Sequence, residues 1–373
     1  MNDTHIAVHR SRLADGRELL YFDDADTTLG EARAIDARLL DPRPATAHMR
    51  QDPLTGDWVS IAAARQNRVF LPPANLDPLS PQTADNPSEI PSTYDVAVFE
   101  NRSPSFGPEL AEAGWDPAAA LAETRAVGIE RTLPSFGRCE VVCFSPEHEG
   151  SFGTQTVSRA RTVIEAWAHR TAELSALPGV QQVFPFENRG EAIGVTLGHP
   201  HGQIYSYPYV TPRTQRLLDA IDAYGPTLLA DTIASELAGP RVLLRGEHWS
   251  AYVPFAARWP LEIHLVPHRH VPDLAETTPE ERDELAGVYL RVLRGVDALY
   301  DTPTPYIAAW HQAPVHERRD EVRLTMQLTS PRRAADRLKF LAGSEAAMGA
   351  WIGDVPPETQ AEALRAAIER VSA

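Results

Sequence analysis

The sequence predicts an α+β fold, mainly antiparallel sheet with packed helices. Three observations carry this. Short runs rich in β-branched and aromatic residues alternate with helical segments. The order is strand–helix–strand–strand, which suits antiparallel neighbours better than βαβ winding. The same order also occurs twice. The first half reads EVVCFSPEHEG, a helix over 157–177, VQQVFPFENRG and LGHPHGQIYSY; the second reads EIHLVPHRHVP, a helix over 279–299, PYIAAWHQAP and EVRLTMQLTSP. Pro146 and Pro267 correspond at a separation of 121, and His199 and His201 fall opposite Thr325 and Gln327 at a separation of 126. That period is too long for a solenoid and fits duplication of one unit.

Residues 1–45 are polar and mixed, with little periodicity, and read as an N-terminal extension. Residues 46–211 and 212–373 are the two halves of a single compact unit. Segment 71–93, rich in Pro, Asn, Asp and Ser, reads as a long ordered loop. Strands are predicted over Tyr94–Phe99, Cys139–Phe144, Val180–Asn188, Gly202–Tyr207, Val242–Arg245, Ala251–Pro254, Glu262–Pro267, Tyr306–Gln312 and Val322–Thr329. Helices are predicted over Val157–Leu177, Pro212–Glu236, Pro279–Leu299, Arg332–Gly349 and Pro357–Val371. Val163, Ile164, Trp167 and Leu174 share one side of the first helix. Only the first half keeps two histidines, so it is expected to be catalytic and the second degenerate, retained for packing and substrate shaping.

At 373 residues, 43% hydrophobic and 23% charged, the chain can bury an ample core. It has no charged-then-apolar leader and no apolar run near the ~20 residues a membrane helix needs, so it reads as cytoplasmic with no membrane partner. A formal charge of −16 excludes general nucleic-acid binding, which needs a basic face. An anionic substrate would have to meet particular arginines instead. Cys139 and Cys143 would lie ~13 Å apart on a strand, too far for a disulfide, and read as small buried hydrophobes.

The chemistry concentrates in Gly198-His199-Pro200-His201-Gly202-Gln203. Two histidines two residues apart on a strand share a face. A bare His-x-His fits a structural pair or two metal ligands as well as a nucleophile. Gly202, leaving room for a phosphoryl group, and Gln203, an uncharged donor, favour His201 as a nucleophile at phosphorus. Lys339 is the one lysine among 35 basic residues. It is either a chance survivor on the surface or a compact ammonium placed where an arginine fork would not fit. His264, His268 and His270 have metal-like spacing, but their alignment with CFSPEH in the other copy favours a polar strand end.

With DPLTGDWV, ARQNRVF, NPSEIP, FENRSPSF, GRCEVVCFSPEH, FENRGEAIGVTLGHPHGQ, WHQAP and LKFLAGSE, the sequence from about Asp52 to Asp354 resembles the galactose-1-phosphate uridylyltransferases of the histidine-triad superfamily. The resemblance implies a duplicated histidine-triad-like fold. It implies ping-pong transfer of UMP from UDP-glucose to a hexose 1-phosphate, galactose 1-phosphate first, through a uridylyl-histidine at His201. The backbone carbonyl of His199 would hold His201 Nδ1–H, and Gln203 would steady the phosphoryl oxygens. Arg65 and Arg68, otherwise a solvated basic loop, match arginines near the nucleotide phosphates. Asn101 matches a uridine-side residue, and Asn188 and Thr196 match groups holding ribose and phosphate. Lys339 and Glu345 match residues facing the hexose phosphate and sugar hydroxyls; alone, Glu345 would be an ordinary helix-surface carboxylate. A glutamine at 203 cannot protonate a leaving group, which favours transfer over hydrolysis. A homodimer is implied. Rival readings are a related nucleotidylyltransferase or nucleoside-diphosphosugar phosphorylase with another acceptor, and a non-enzymatic nucleotide-binding module, against which intact His201 and Gln203 weigh.

The chain departs from the family pattern in places. Members bind structural zinc through two cysteines and two histidines, the latter matching His148 and His199. Here Asp77 and Ser80 replace both cysteines. Aspartate can ligate zinc and serine is a poor ligand. That leaves either no zinc or a weakened site of Asp77, His148, His199 and water. A second family site uses a His-x-His where this chain has Thr325 and Gln327, keeping only His311, so no iron is expected. Arg102 and Ser344 also differ from the pattern and leave the acceptor sugar open.

Overall fold

The computed structural model describes residues 6–41, 43, 47–63, 71–107, 128–300 and 302–372. In chain order its elements are β1 (Val8–Arg12), β2 (Glu18–Phe22), β3 (His48–Gln51), β4 (Trp58–Ile61), β5 (Val96–Glu100), β6 (Arg131–Pro134), β7 (Arg138–Cys143), α1 (Val157–Ser175), β8 (Gln182–Arg189), β9 (His201–Tyr207), α2 (Pro212–Tyr224) and α3 (Leu228–Ala238). There follow β10 (Val242–Arg245), β11 (Trp249–Tyr252), β12 (Leu261–Pro267), α4 (Pro279–Ala298), β13 (Tyr306–His311), β14 (Thr325–Ser330), β15 (Arg332–Ala334), β16 (Arg337–Leu338), α5 (Gly343–Met348) and α6 (Pro357–Ser372).

Eleven strands form one sheet in the order β1-β2-β5-β7-β9-β8-β13-β14-β12-β11-β10, antiparallel at every pairing. The fold is α+β, as the sequence predicts. β2-β5-β7-β9-β8 meets its counterpart β13-β14-β12-β11-β10 at the β8–β13 seam. The register carries the duplication in its hydrogen bonds. Val141 and Phe186 both stand opposite Gln203; their counterparts Glu262 and Ile307 both stand opposite Thr329. Gln327 therefore occupies the place of His201.

The helices begin where local chemistry starts them. The Thr156 hydroxyl accepts from Arg159 N–H at 3.0 Å and caps α1. Thr278 and Glu281 form a reciprocal capping box on α4, with Pro279 in its first turn. Val163, Ile164 and Trp167 of α1 and Leu285, Tyr289 and Leu293 of α4 are buried. α4 packs on both α1 and α6; a Cβ at Gly295 would overlap Ile368, so α4 and α6 can meet only over a glycine. Phe152 stacks on Trp167 at 5.5 Å, and Trp310 lies 5.7 Å from both Trp167 and Tyr289, binding the two halves into one core. On the opposite face Leu19, Tyr21, Ala97, Phe99 and Cys143 are buried with Leu79 and Ile90 of the 71–93 loop. Both cysteines are buried free thiols. No described helix is long and apolar enough to cross a membrane.

At the seam, Glu187 pairs with Ala308 and is buried; its Oε1 accepts from the Tyr306 hydroxyl at 3.0 Å. Burial pushes its carboxyl up to about 7, and the Tyr306 bond and Arg189 charge offset only part of that. The folded value lies above the ordinary 4.5. The contribution of the protonated form is thus complete below that value and lost as pH rises through about 7. Wild type should lose stability on the order of 3 kcal/mol relative to Glu187→Gln between about pH 5 and 8. Thermal unfolding across that range checks this; equal slopes in the two proteins would contradict it.

Several elements depart from the sequence reading. Residues 6–41 are not without pattern. β1 and β2 form a hairpin around Gly16, which takes φ 84°, and β2 joins the main sheet through β5. β3, β4 and β6 form an unforeseen three-stranded sheet. The helix predicted over Pro212–Glu236 is two helices, broken where Gly225 takes φ 120° and Pro226 offers no N–H. The helix predicted over Arg332–Gly349 is the hairpin β15–β16 followed by α5. Its Arg, Ala and Leu favour a helix, but Lys339 N–H donates instead to the Pro331 carbonyl and closes the hairpin. The other predicted elements match observed ones to within three residues at each end.

Candidate active site

His201 opens β9, and alternation along the strand puts His201, Gln203 and Tyr205 on the open face. His201 Nδ1 lies 2.7 Å from the His199 carbonyl oxygen. A carbonyl only accepts, so Nδ1 carries the proton and the lone pair is on Nε2. His201, Gln203, Asn188 and Thr196 line one cavity of about 170 Å³, walled by Phe186 and Tyr205.

Two expectations about the motif need correction. Gly202 does not face the cavity. A Cβ there would point to the helix side, 2.8 Å from Phe144 Cζ and 3.0 Å from the Phe186 carbonyl, so the glycine serves packing and not phosphate room. Nor do the two histidines share a strand face. The chain bends at 199–200 and the strand starts at His201. The His199 ring is buried while His201 lines the cavity.

His199 is held by the loop 71–93. Its Nδ1 lies 2.6 Å from Asp77 Oδ2, and His148 Nδ1 lies 2.9 Å from the same oxygen. The Ser80 hydroxyl donates to that oxygen at 2.8 Å, and Leu79 N–H donates to Oδ1 at 2.9 Å. His199 Nε2 donates to the Ser145 carbonyl at 2.8 Å, with the Tyr94 hydroxyl 3.1 Å away. Burial pushes the Asp77 carboxyl up, but the hydrogen bond and charge of His199, with the Leu79 and His148 bonds, hold it well below the usual carboxylate range. Nothing in the sequence marked Tyr94 or Ser145, because only the fold brings them to His199.

Ligand atoms of Asp77, His148 and His199 lie within 4.8 Å of one another. Because His199 Nε2 is spent on Ser145, its Nδ1 faces the carboxylate, and a positive species must sit between them: a proton or a metal ion. One carboxylate oxygen and two imidazole nitrogens are zinc-type ligands, so this set fits a divalent cation. Either occupant fixes His199, whose carbonyl orients His201.

The remaining residues lie elsewhere. Arg65 and Arg68 fall outside the described residues. Asn101 closes a turn, its Oδ1 accepting from Ser103 N–H at 2.9 Å, and does not line the cavity. Arg102 donates to the Asp41 carbonyl at 3.0 Å. Lys339 Nζ lies 3.3 Å from Glu345 Oε1, and both residues are buried. Lys339 borders an adjoining groove with Ala192 and Ile193, next along the chain from the cavity rim at Gly194. In the second half, His311 Nε2 lies 3.2 Å from Gln327 Oε1, and Gln327 Nε2 donates to Glu262 at 2.6 Å. His268 faces the Ser250 hydroxyl and the Glu247 carbonyl, each at 2.8 Å. Among the described residues, His264, His268 and His270 form no three-ligand group.

Residues 39–211 match the family described as Galactose-1-phosphate uridyl transferase, N-terminal domain, and residues 211–372 match its C-terminal domain. The chain belongs to the galactose-1-phosphate uridylyltransferase family. A galactose-1-phosphate uridylyltransferase of Streptomyces lividans is 42% identical over 376 residues, covering 95% of this chain and 96% of its own. One from Thermotoga maritima is 33% identical over 325 residues, covering 85% and 97%. A solved uridylyltransferase superposes with a TM-score of 0.75 at 28% identity, over 87% of this chain and 99% of its own. An ADP-glucose phosphorylase from Arabidopsis thaliana shares the fold, with a TM-score of 0.62 at 20% identity over 86% and 98%. The family's two domains together match nearly the whole described chain.

Proposed function

We propose that the chain transfers UMP from UDP-glucose to galactose 1-phosphate, in galactose metabolism, as a cytoplasmic homodimer. The tautomer of His201 carries the reading: Nδ1–H on the His199 carbonyl leaves Nε2 as a neutral nucleophile beside Gln203, Asn188 and Thr196. Nε2 attacks the α-phosphorus. The Nε2–P bond forms as the P–O bond to glucose 1-phosphate breaks, and the leaving oxygen takes the electron pair. A phosphate oxygen of galactose 1-phosphate then attacks the same phosphorus, and Nε2 departs. Gln203 donates to a non-bridging oxygen as its charge develops. Asn188 and Thr196 hold ribose and phosphate, Arg65, Arg68 and Asn101 the nucleotide, and Lys339 and Glu345 the hexose phosphate. A zinc ion on Asp77, His148 and His199 would be structural and would stiffen the loop behind His199. The free thiols Cys139 and Cys143 fit a reducing compartment.

UDP-glucose labelled at the α-phosphorus tests this. The expected product is an acid-labile, base-stable adduct on His201 that galactose 1-phosphate discharges as UDP-galactose. Discharge by inorganic phosphate alone would replace the acceptor, and binding without an adduct would reduce the chain to a nucleotide-binding module.

The homodimer has separate support. The Lys339–Glu345 pair does not line the His201 cavity, and its segment exposes Phe340 and Met348 at 74% and 80%. In a homodimer, this segment would complete the hexose end of the partner's site. Lys339→Met and His201→Ala chains should each be inactive. Mixed after mild dissociation, they should regain about a quarter of wild-type activity, since half the dimers would then carry one intact site. No recovery would place each site within one chain.

A further inference from the structure

In the second half, the open face holds a larger hollow than the catalytic cavity. It measures about 890 Å³ between α2, α3 and the strands β11 to β14, and a smaller one of about 320 Å³ adjoins it over Gln327 and Glu262. Arg213, Arg216 and Arg258 line it. Among the described residues, these are the arginines whose side chains make no hydrogen bond and no ion pair. The guanidinium of Arg258 lies over the Trp351 ring at 5.6 Å; at Arg213 the like charges of Arg258 and Arg216 act against the opposite charge of Glu262, and all three arginines are exposed.

This is not for want of acids. The chain holds 51 acidic residues against 35 basic ones. The acids in the wall are already engaged. Glu262 accepts from Gln327 and from Arg258 N–H and lies 3.4 Å from His264 Nε2, and Glu236 accepts from Arg241 and from Phe255 N–H. Three like charges face one hollow with the single charge of Glu262 set against them, and an anion between them would relieve the remaining repulsion. Trp351 and Tyr252 add aromatic wall to the hollow.

We propose that this hollow is a binding site for a phosphate ester on a ring, a sugar phosphate or a nucleotide, distinct from the catalytic cavity. Gln327 stands where His201 stands in the other half, so the position that carries the imidazole beside Gln203 there carries a neutral amide here. The volume is within the range of small-molecule sites. The arginines supply the charge-assisted donors that phosphate needs, in a molecule otherwise strongly negative.

Calorimetric titration of the full chain with glucose 1-phosphate, UMP and inorganic phosphate tests this. Wild type should take up a second equivalent per chain of one of the two esters, and which one names the source. Arg213→Gln/Arg258→Gln should lose that equivalent, or weaken it at least tenfold, while uridylyl transfer stays within twofold. Arg258→Gln alone should weaken it less. An unfolding temperature within a degree or two of wild type would show that the variants fold. A single equivalent in wild type, or unchanged binding in the double variant, overturns the proposal. So does dissociation of the oligomer by the double variant, which would make the arginines interface residues.

Discussion

His201→Ala is expected to form no labelled adduct and to lose transfer in both half-reactions by a factor of ~10⁴ or more. The argument is geometric. The His199 carbonyl fixes the ring at 2.7 Å and leaves Nε2 to the cavity, so no other described side chain there offers a neutral nitrogen nucleophile. Without Nε2, the two sugar phosphates would have to react directly, with both reacting centres in about 170 Å³. Loss should fall equally on glucose 1-phosphate release and UDP-galactose formation, since one nitrogen serves both. Gln203→Ala should behave differently. It removes a donor to the developing charge and not the nucleophile, so the adduct should still form, ~10²–10³-fold more slowly. Gln203→His adds a group that can carry a proton. The ratio of free UMP to UDP-galactose should rise as water competes for the adduct. Adduct formation at the wild-type rate in His201→Ala would move the chemistry to another residue.

The sequence was most legible where burial on one face forces alternation. β7 to β9 and β12 to β14 carry β-branched and aromatic runs bounded by proline or glycine, and their pairings follow the separations of 121 and 126 read from the motifs. The β1–β2 hairpin had a signal too: Ala14-Asp15-Gly16 between two short apolar runs. The polar residues around it obscured that signal. The 332–349 segment was misread because local propensity and tertiary pairing disagree there. In the site, side-chain type pointed to His201 and Gln203, which line one cavity. It gave Gly202 the wrong duty, because alternation turns position 202 to the helices. The hollow of Arg213, Arg216 and Arg258 was not legible at all. Its three arginines come from two segments of the chain, and what distinguishes them is the absence of a hydrogen-bond or ion-pair partner, which only coordinates can show.

The second large effect is on the fold. Asp77→Ala should destabilise the protein by about 3–5 kcal/mol, the range for breaking a buried charged pair by removing one partner. Asp77 is 1% exposed, and its carboxylate receives His199, His148, Ser80 and Leu79. Removing it leaves the His199 Nδ1 facing a void while Nε2 stays on Ser145. The loop 71–93 also loses the turn that seats Leu79 and Ile90 in the core. Activity should fall as well, because His199 presents the carbonyl that fixes the His201 tautomer. Asp77→Asn separates the two effects. The amide keeps the Leu79 bond but removes the charge opposite His199, so it should cost less stability than alanine and still lower kcat more than it raises KM. Elemental analysis alongside unfolding identifies what lies between Asp77 and His199. Bound zinc in wild type, absent from both variants, would make the loss one of metal; equal destabilisation with no zinc in any of them would make it one of an ion pair. A stable Asp77→Ala protein with wild-type kcat would mean that the cluster neither holds the loop nor orients the nucleophile.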